Sequence, residues 1–466
     1  MSRINTNISS LTSIHRLQQN QGDLSLRLQR LSSGLKINTG KDAPAGLIAS
    51  EKLRSEVTGI TAAIDNSQRA GNVVNTAEGA LNEVSSLLNE VQRLTSQSAN
   101  TGGLSSEEIS ANQLQLDSIL ASIDRITKTT QFDGVKLLNG ALDYTTSGVV
   151  TSAFANTTIN AVLLPDNGQR QVTVQVLASA KTAELSFTGI SVGGAVTTIQ
   201  IGGNEGTEQI SFAANAANSA VAFAINELKG TTGVSAVASA AGIQLGSTAY
   251  GSSQFVSVKT ITGAFVDGKT TGQDANVQIN GLRANADGLT ARVRNNDLDI
   301  SIDLTAAFGR QTTGTKSFYI TGGGAKFQVG SSVNQLGQVH LGLGSIASGS
   351  LGDGVTGYLS TLGSGGVNSL VSGNTTQAQK IVTEAIGQVA NIRGRLGAFQ
   401  KDILSTNINS LNIALENVTA SVSNIRDSDF ATETAALARA QVLVQANTAV
   451  LAQANTTPQS VLTLLK

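Results

Sequence analysis

The stretch Leu404 to Ile425, LSTNINSLNIALENVTASVSNI, decides the fold. Leu404, Ile408, Leu411, Leu415, Val418, Val422 and Ile425 recur at alternating steps of four and three, which puts one apolar residue per helical turn on a narrow seam. Such a seam needs a partner helix along its length. Working outward to the other half of the chain, Val57, Ile60, Ile64, Ser67, Gly71, Val74, Ala77, Leu81, Val84, Leu88 and Val91 answer it, with Ser67 and Gly71 the only non-apolar seam positions. At a rise of ~1.5 Å per residue, a helix from Val57 to Thr95 would span roughly 57 Å, far longer than an ordinary globular helix.

Beyond these two seams, further helices are predicted toward each terminus. Ile4, Ile8, Leu11, Ile14 and Leu17 begin an amphipathic stretch that continues through Leu24, Leu28, Leu31 and Leu35, weakened at its end by Gly34 and Gly40. Asp42 is the expected N-cap of the next helix and Pro44 its first turn. A third helix is predicted from Ser105, a cap with Glu108 three residues on, to Ile126. Near the C-terminus, helices resume around Thr376 and break at Ile425 to Phe430. They restart with Ala436, Ala440, Leu443, Asn447, Val450 and Ala454, small residues that permit close helix approach, until Pro458 is expected to stop or bend the last one. Helices this weakly apolar bury too little to offset their ordering entropy alone, so the termini are expected to order on assembly; the alternative is that the two ends pair with each other inside one monomer.

Between about Tyr144 and Leu370 the texture changes to alternation. Val172, Val174 and Val176, Ile199 and Ile201, Leu298 to Leu304, and Phe318 and Ile320 predict half-buried strands, interrupted by one helix from Ala217 to Leu228. The expected fold is a multidomain α+β chain: a terminal coiled-coil bundle pairing N- and C-terminal helices, around a central, mainly β region with a short helix.

Composition excludes several classes of function. Only 14% of the 466 residues are charged and 3% aromatic, so the core must be aliphatic. The absence of cysteine removes disulfides, thiolate metal sites and cysteine nucleophiles together. A formal net charge of -1 gives no reason to expect nucleic acid, and no apolar run approaches the ~18 residues needed to span a bilayer. The two histidines, His15 and His340, lie in different predicted domains and no HExxH string exists, so no catalytic, cofactor or metal site is expected. Gly322, Gly323 and Gly324 lack the Gly-Lys-Ser/Thr ending of a phosphate loop and fit a tight turn. The region Met1 to Asn20 lacks the basic start and apolar run of a general secretory signal. The Asn-x-Ser/Thr strings are assigned no role, and no particular string signals O-glycosylation in the Ser- and Thr-rich middle.

Short strings at both ends carry a family resemblance. MSRINTN (Met1 to Asn7), QRLSSGLKIN (Gln29 to Asn38), Lys41 to Gly46 and QSAN (Gln97 to Asn100) resemble the N-terminal signature of bacterial flagellins. IRDSDF (Ile425 to Phe430), ARAQ (Ala438 to Gln441), QANTA (Gln445 to Ala449) and LAQANTTPQSVL (Leu451 to Leu462) are similar to the family's closing motif, in the same order. The resemblance covers about 140 residues at the start and about 95 at the end.

The resemblance implies a subunit of the flagellar filament, a helical homopolymer on the outside of the cell. It implies export unfolded through the flagellar secretion apparatus with an export chaperone, without a cleaved signal peptide, and polymerisation beneath a filament cap above hook-filament junction proteins. It divides the chain into 1–41 with 427–466 as an inner tube, 42–143 with 375–426 as a surrounding helical tube, and 144–374 as a surface-exposed variable region of one or two subdomains. Within that region Asn218 to Val258 looks like an insert module of many flagellins. The expected assembly seams are Leu24, Leu28, Leu31, Leu35, Leu81, Val84, Leu88, Val91, Leu411, Leu415, Val418, Val422, Leu443 and Val450. Gln29 to Ile48 resembles the stretch sensed by plant immune receptors, with Thr39 and Pro44 departing from the commonest pattern. For the animal innate receptor the aligned positions are Glu90, Leu94 and Gln115, and the charge reversal at Glu90 predicts weak agonism. Two alternatives stand beside this reading: a hook-filament junction protein, and an adhesin displayed through the central region.

Overall fold

The computed structural model describes residues 6–165, 168–189, 192–295 and 297–464, the last seven of them as backbone only. The helices are α1 (Ile8–Ser33), α2 (Pro44–Ser98), α3 (Ser106–Thr129), α4 (Asn218–Glu227), α5 (Lys229–Thr232), α6 (Ala306–Gly309), α7 (Thr375–Ala398), α8 (Thr406–Arg426) and α9 (Phe430–Leu464). A wide-turn π-helical segment, Phe399–Ser405, joins α7 to α8, so Leu404 begins its seam just before α8. The chain forms two compact units: residues 1–69, 328–337 and 403–466 make the first, and 70–327 with 338–402 the second.

The helix boundaries follow local chemistry. Asn7 caps α1, its side-chain oxygen accepting from the Ser10 N–H at 3.0 Å, and Gly34 ends the helix in the left-handed region at φ 71°. The expected cap of α2 is different in the structure. The Asp42 carboxylate accepts from the N–H groups of Asn38 and Thr39 at 3.0 and 2.8 Å, closing the preceding turn, and those bonds hold its pKa below the usual range. Pro44 opens α2 as expected, because a first-turn residue needs no N–H partner. Ser105 and Glu108 form the predicted reciprocal cap of α3.

In the second unit, Val74, Ala77, Leu81, Val84, Leu88 and Val91 of α2 are buried, as are Leu116, Ile119, Leu120 and Ile123 of α3 and Ile381, Val382, Ala385 and Val389 of α7. Arg393 of α7 pairs with Glu78 of α2 at 2.8 Å, and Asn112 of α3 donates to Ser98 at 3.1 Å. The segment between Ser345 and Asn374 is held to the helices by α3. Gln113 both donates to the Leu362 carbonyl (2.9 Å) and accepts from the Leu370 N–H (2.7 Å), while Asp124 takes the Ser348 N–H at 2.7 Å and Asp117 that of Ser364 at 2.9 Å.

The central region is a β-sandwich carrying a second, smaller module. One sheet orders the strands Leu282–Arg283, Asn276–Ile279, Arg170–Ala178, Gly314–Gly323 and Tyr144–Ser147; the other orders Asn285–Asp287, Thr290–Arg294, Leu298–Leu304 and Phe154–Val162. Alternation aims Val172, Val174, Val176, Phe318 and Ile320 of the first sheet and Leu298, Ile300, Ile302 and Leu304 of the second into one core. Phe154 meets Phe308 and Phe318 edge-on there, at ring separations of 5.7 and 5.6 Å. Lys181 and Gln273 bridge backbone to backbone at 2.8 Å, and the chain between them forms the module, where α4 covers sheets with Ile199, Ile201, Ile243 and Leu245 inside. This module is wider than the stretch 218–258 singled out by its sequence. The tight turn expected at Gly322 to Gly324 is narrower in the structure: Gly322 and Gly323 end the strand Gly314–Gly323, paired with Thr145 and Tyr144, and Gly324 alone separates it from the strand Ala325–Gln328. A Cβ at Gly323 would lie 2.1 Å from the Asp143 carbonyl.

Candidate assembly interface

In the first unit α1 packs against α9, so the two ends of the chain pair with each other in one molecule. The buried positions on these helices are mostly small, Ser13 on α1 and Ala440 and Ala454 on α9, which allows close approach. Polar contacts at both ends of the pair set the register. Toward one end, Glu433, almost fully buried, takes the Arg27 guanidinium at 3.1 Å and has Arg30 at 3.9 Å, while Asp23 holds Arg27 from one turn away at 3.1 Å. These acids hold the Arg27 pKa above its usual value against the opposing effect of burial.

At the other end lies Pro458, where a stop or a bend is expected and the helix does not stop. The helix α9 runs on to Leu464. A proline has no N–H for the carbonyl four residues back, here that of Ala454. Asn7 supplies the missing donor: its Nδ2 reaches the Ala454 carbonyl at 2.7 Å while its oxygen caps α1. Beside it, the Ser10 hydroxyl donates to Asn455 Oδ1 at 2.8 Å.

The IRDSDF string is the corner where these helices join. The Lys36 N–H donates to the Arg426 carbonyl at 2.7 Å and the Ser428 N–H to that of Gly34 at 2.9 Å. Arg426 pairs with Glu51 of α2 at 2.9 Å. Asp429 caps α9, accepting from the Ala431 N–H at 3.0 Å and the Thr432 hydroxyl at 2.6 Å. None of these pairings was legible beforehand; the available signal was the clustering of Asp, Ser and Arg at a break between two apolar periodicities.

The expected seam residues fall into two groups. Leu81, Val84, Leu88 and Val91 have no exposed surface at all. Leu24, Leu31, Leu35, Leu411, Leu415, Val418 and Val422 are only half-buried, and Leu28, Leu443 and Val450 are exposed. With them Ile8, Leu11, Phe430 and Val442 leave an apolar surface on the α1–α9 pair that the described residues do not cover. Where the α2 seam passes Ser67, the hydroxyl is buried, donates to the Ala63 carbonyl (2.8 Å) and accepts from Asn407 (3.3 Å).

Glu90 and Gln115 meet in the second unit. Glu90 binds the Arg93 guanidinium through both oxygens (2.6 and 2.8 Å) and accepts from Gln115 Nε2 at 3.1 Å; the Arg93 bond keeps its pKa low. Leu94 is fully buried. Among the described residues no cluster of His, Cys, Asp or Glu could hold a metal ion, and no helix is long and apolar enough to cross a membrane.

The chain is similar to known proteins along its whole length. Residues 4–143 match the family described as bacterial flagellin N-terminal helical region, and 379–465 match its C-terminal helical region. It is 31% identical to a B-type flagellin of Pseudomonas aeruginosa and 31% identical to a flagellin of Salmonella typhimurium, with 99% of each chain covered in both comparisons. A crystal structure of flagellar hook associated protein-3 from Legionella pneumophila aligns at 13% identity and a TM-score of 0.33, over 80% of this chain and 98% of that one. Matched terminal regions, paired terminal helices and two relatives spanning both ends together place this chain in the bacterial flagellin family, the structural subunits of the flagellar filament.

Proposed function

We propose that this flagellin polymerises through the surface of its first unit, with the α1–α9 pair as the inner tube and the half-buried α8 seam as the contact around it. The observation that carries the reading is the contrast in burial: a heptad seam left half-open in one molecule is completed by neighbours. The subunit acts outside the cell as mechanical material, not as an enzyme. It is delivered by the flagellar export apparatus with a chaperone, assembles beneath a cap, and meets the junction proteins at the filament base.

Negative-stain electron microscopy of purified monomer with filament seeds, beside the same protein lacking residues 427–466, tests this. Long filaments from the intact chain alone are expected; filaments from both would remove α9 from assembly, and none from either would remove the filament itself. For innate recognition, the Glu90 carboxylate engages Arg93 and supports weak agonism. Purified monomer giving a full-potency response in a receptor reporter assay would overturn that part.

A further inference from the structure

Strands Ala325–Gln328 and Gln338–Leu341 form a hairpin whose tip, 329–337, reads VGSSVNQLG and holds no charge. The tip is firmly built. The N–H groups of Val329 and Gly330 both donate to the Gly337 carbonyl at 2.8 Å, and Gln328 Nε2 donates to the carbonyls of Gly330 and Ser332 at 2.9 and 2.8 Å. Gly330 and Gly337 lie so close that a Cβ on the first would sit 2.6 Å from the Cα of the second. The tip is also tied to the helices of the first unit. Asn407 Nδ2 donates to the Val329 carbonyl at 2.8 Å, and a Cβ at Gly59 of α2 would lie 2.9 Å from the Ser331 carbonyl.

This fixed loop nevertheless presents Val333 and Leu336 to solvent, at 89% and 93% exposure, the highest of the described large hydrophobic residues. A loop tip ordinarily carries polar residues, and wet apolar area forgoes the gain that burial would bring. We infer that the tip is a contact for a second copy of this chain, seated on a different patch of the neighbour. Two side chains expose far less than the ~1,000 Å² that a discrete complex needs, so the contact gains meaning only when repeated beside others in a polymer. The uncharged tip has no electrostatic means of choosing a charged partner. Ile48 on α2 and Ile413 on α8 are exposed apolar positions of the same unit, and two unlike patches on one subunit make a head-to-tail contact that extends instead of closing. The inference rests on the filament reading.

Its test compares the intact chain with the double variant Val333→Ser/Leu336→Ser in seeded polymerisation. The variant is expected to keep the helix content and unfolding midpoint of the monomer and to need about a tenfold higher critical concentration, equivalent to about 1.4 kcal/mol per subunit. Because the chain has no cysteine, an environment-sensitive dye on Val333→Cys reports that position alone, and its emission should shift to the blue in filaments. Equal critical concentrations, or a dye that stays wet in the filament, would overturn the contact. A variant that polymerises normally but loses retention on an outside surface would assign the tip to a foreign partner and overturn it too. If the intact chain itself forms no filaments, the filament reading fails first and the tip's role falls with it.

Discussion

Leu81, Val84, Leu88 and Val91 of α2 and Leu411, Leu415, Val418 and Val422 of α8 carry the same heptad spacing, yet the first four are fully enclosed and the second four stay partly open. In the second unit α2 is tied to α3 by Asn112–Ser98 and to α7 by Arg393–Glu78. In the first unit α8 contains no fully buried residue. A heptad stripe therefore states that a helix has an apolar face without stating whether its partners belong to the same molecule. The closed seam is a monomer's core; the open seam is the face proposed above for contact with further copies.

The comparison breaks most sharply on paired truncations. Leu88→Ala should cost the monomer about 3 kcal/mol in urea unfolding, through lost transfer energy and a residual cavity. Leu415→Ala should cost less than half of that in the monomer, yet raise the critical concentration for polymerisation several-fold. Equal costs in the monomer would show that α8 is core, not interface. A step smaller, Glu433→Gln leaves Arg27 and Arg30 facing an uncharged partner, and the α1–α9 pair should lose about 2 kcal/mol. Faster amide hydrogen exchange confined to those two helices is the readout.

The Asn7 bond sharpens the same unit at a finer scale. Asn7→Ala should weaken the pair by about 1 kcal/mol, and substantially less when Pro458→Ala is also present, because the alanine restores an N–H to the Ala454 carbonyl. Additive effects in the double variant would uncouple the two positions. The smallest effect lies in the second unit. Burial, with Lys326 adding to it, holds the His340 imidazole below its usual range. Its contribution is full above the ordinary value of 6.5 and is lost as pH falls through the lowered folded value. The urea midpoint should thus fall between pH 7.5 and pH 5, and His340→Asn should flatten that fall.

Much of the fold was legible because it rests on short-range rules. The spacing of Leu404 to Ile425, the Ser105–Glu108 cap and the alternation around Val172 and Ile300 each depend on residues a few positions apart. Asp42 misled because an Asp beside a helix start serves two local purposes, capping the helix or closing the turn before it, and the choice depends on where Asn38 and Thr39 point. Pro458 misled for a longer-range reason: the donor that frees α9 from its proline stands on Asn7, at the other end of the chain. The grip of Gln113, Asp117 and Asp124 on the segment after Ser345 was hidden likewise, since polar residues on a helix read as a solvated face until a loop lies across them.

By itself the sequence determined the long helices at both ends, the alternating character of the middle, and the family; that the two ends pair in one molecule was one of two alternatives until the structure showed it. Periodicity and terminal strings are properties of the chain, readable without coordinates. Only the tertiary structure decided which apolar stripes are closed and which stay open, that Asn7 stands in for the N–H that Pro458 lacks, and that the uncharged tip carrying Val333 and Leu336 is braced against solvent. Burial and hydrogen-bond partnership depend on what lies across space, and the neighbour that encloses a stripe or supplies a donor comes from hundreds of residues away.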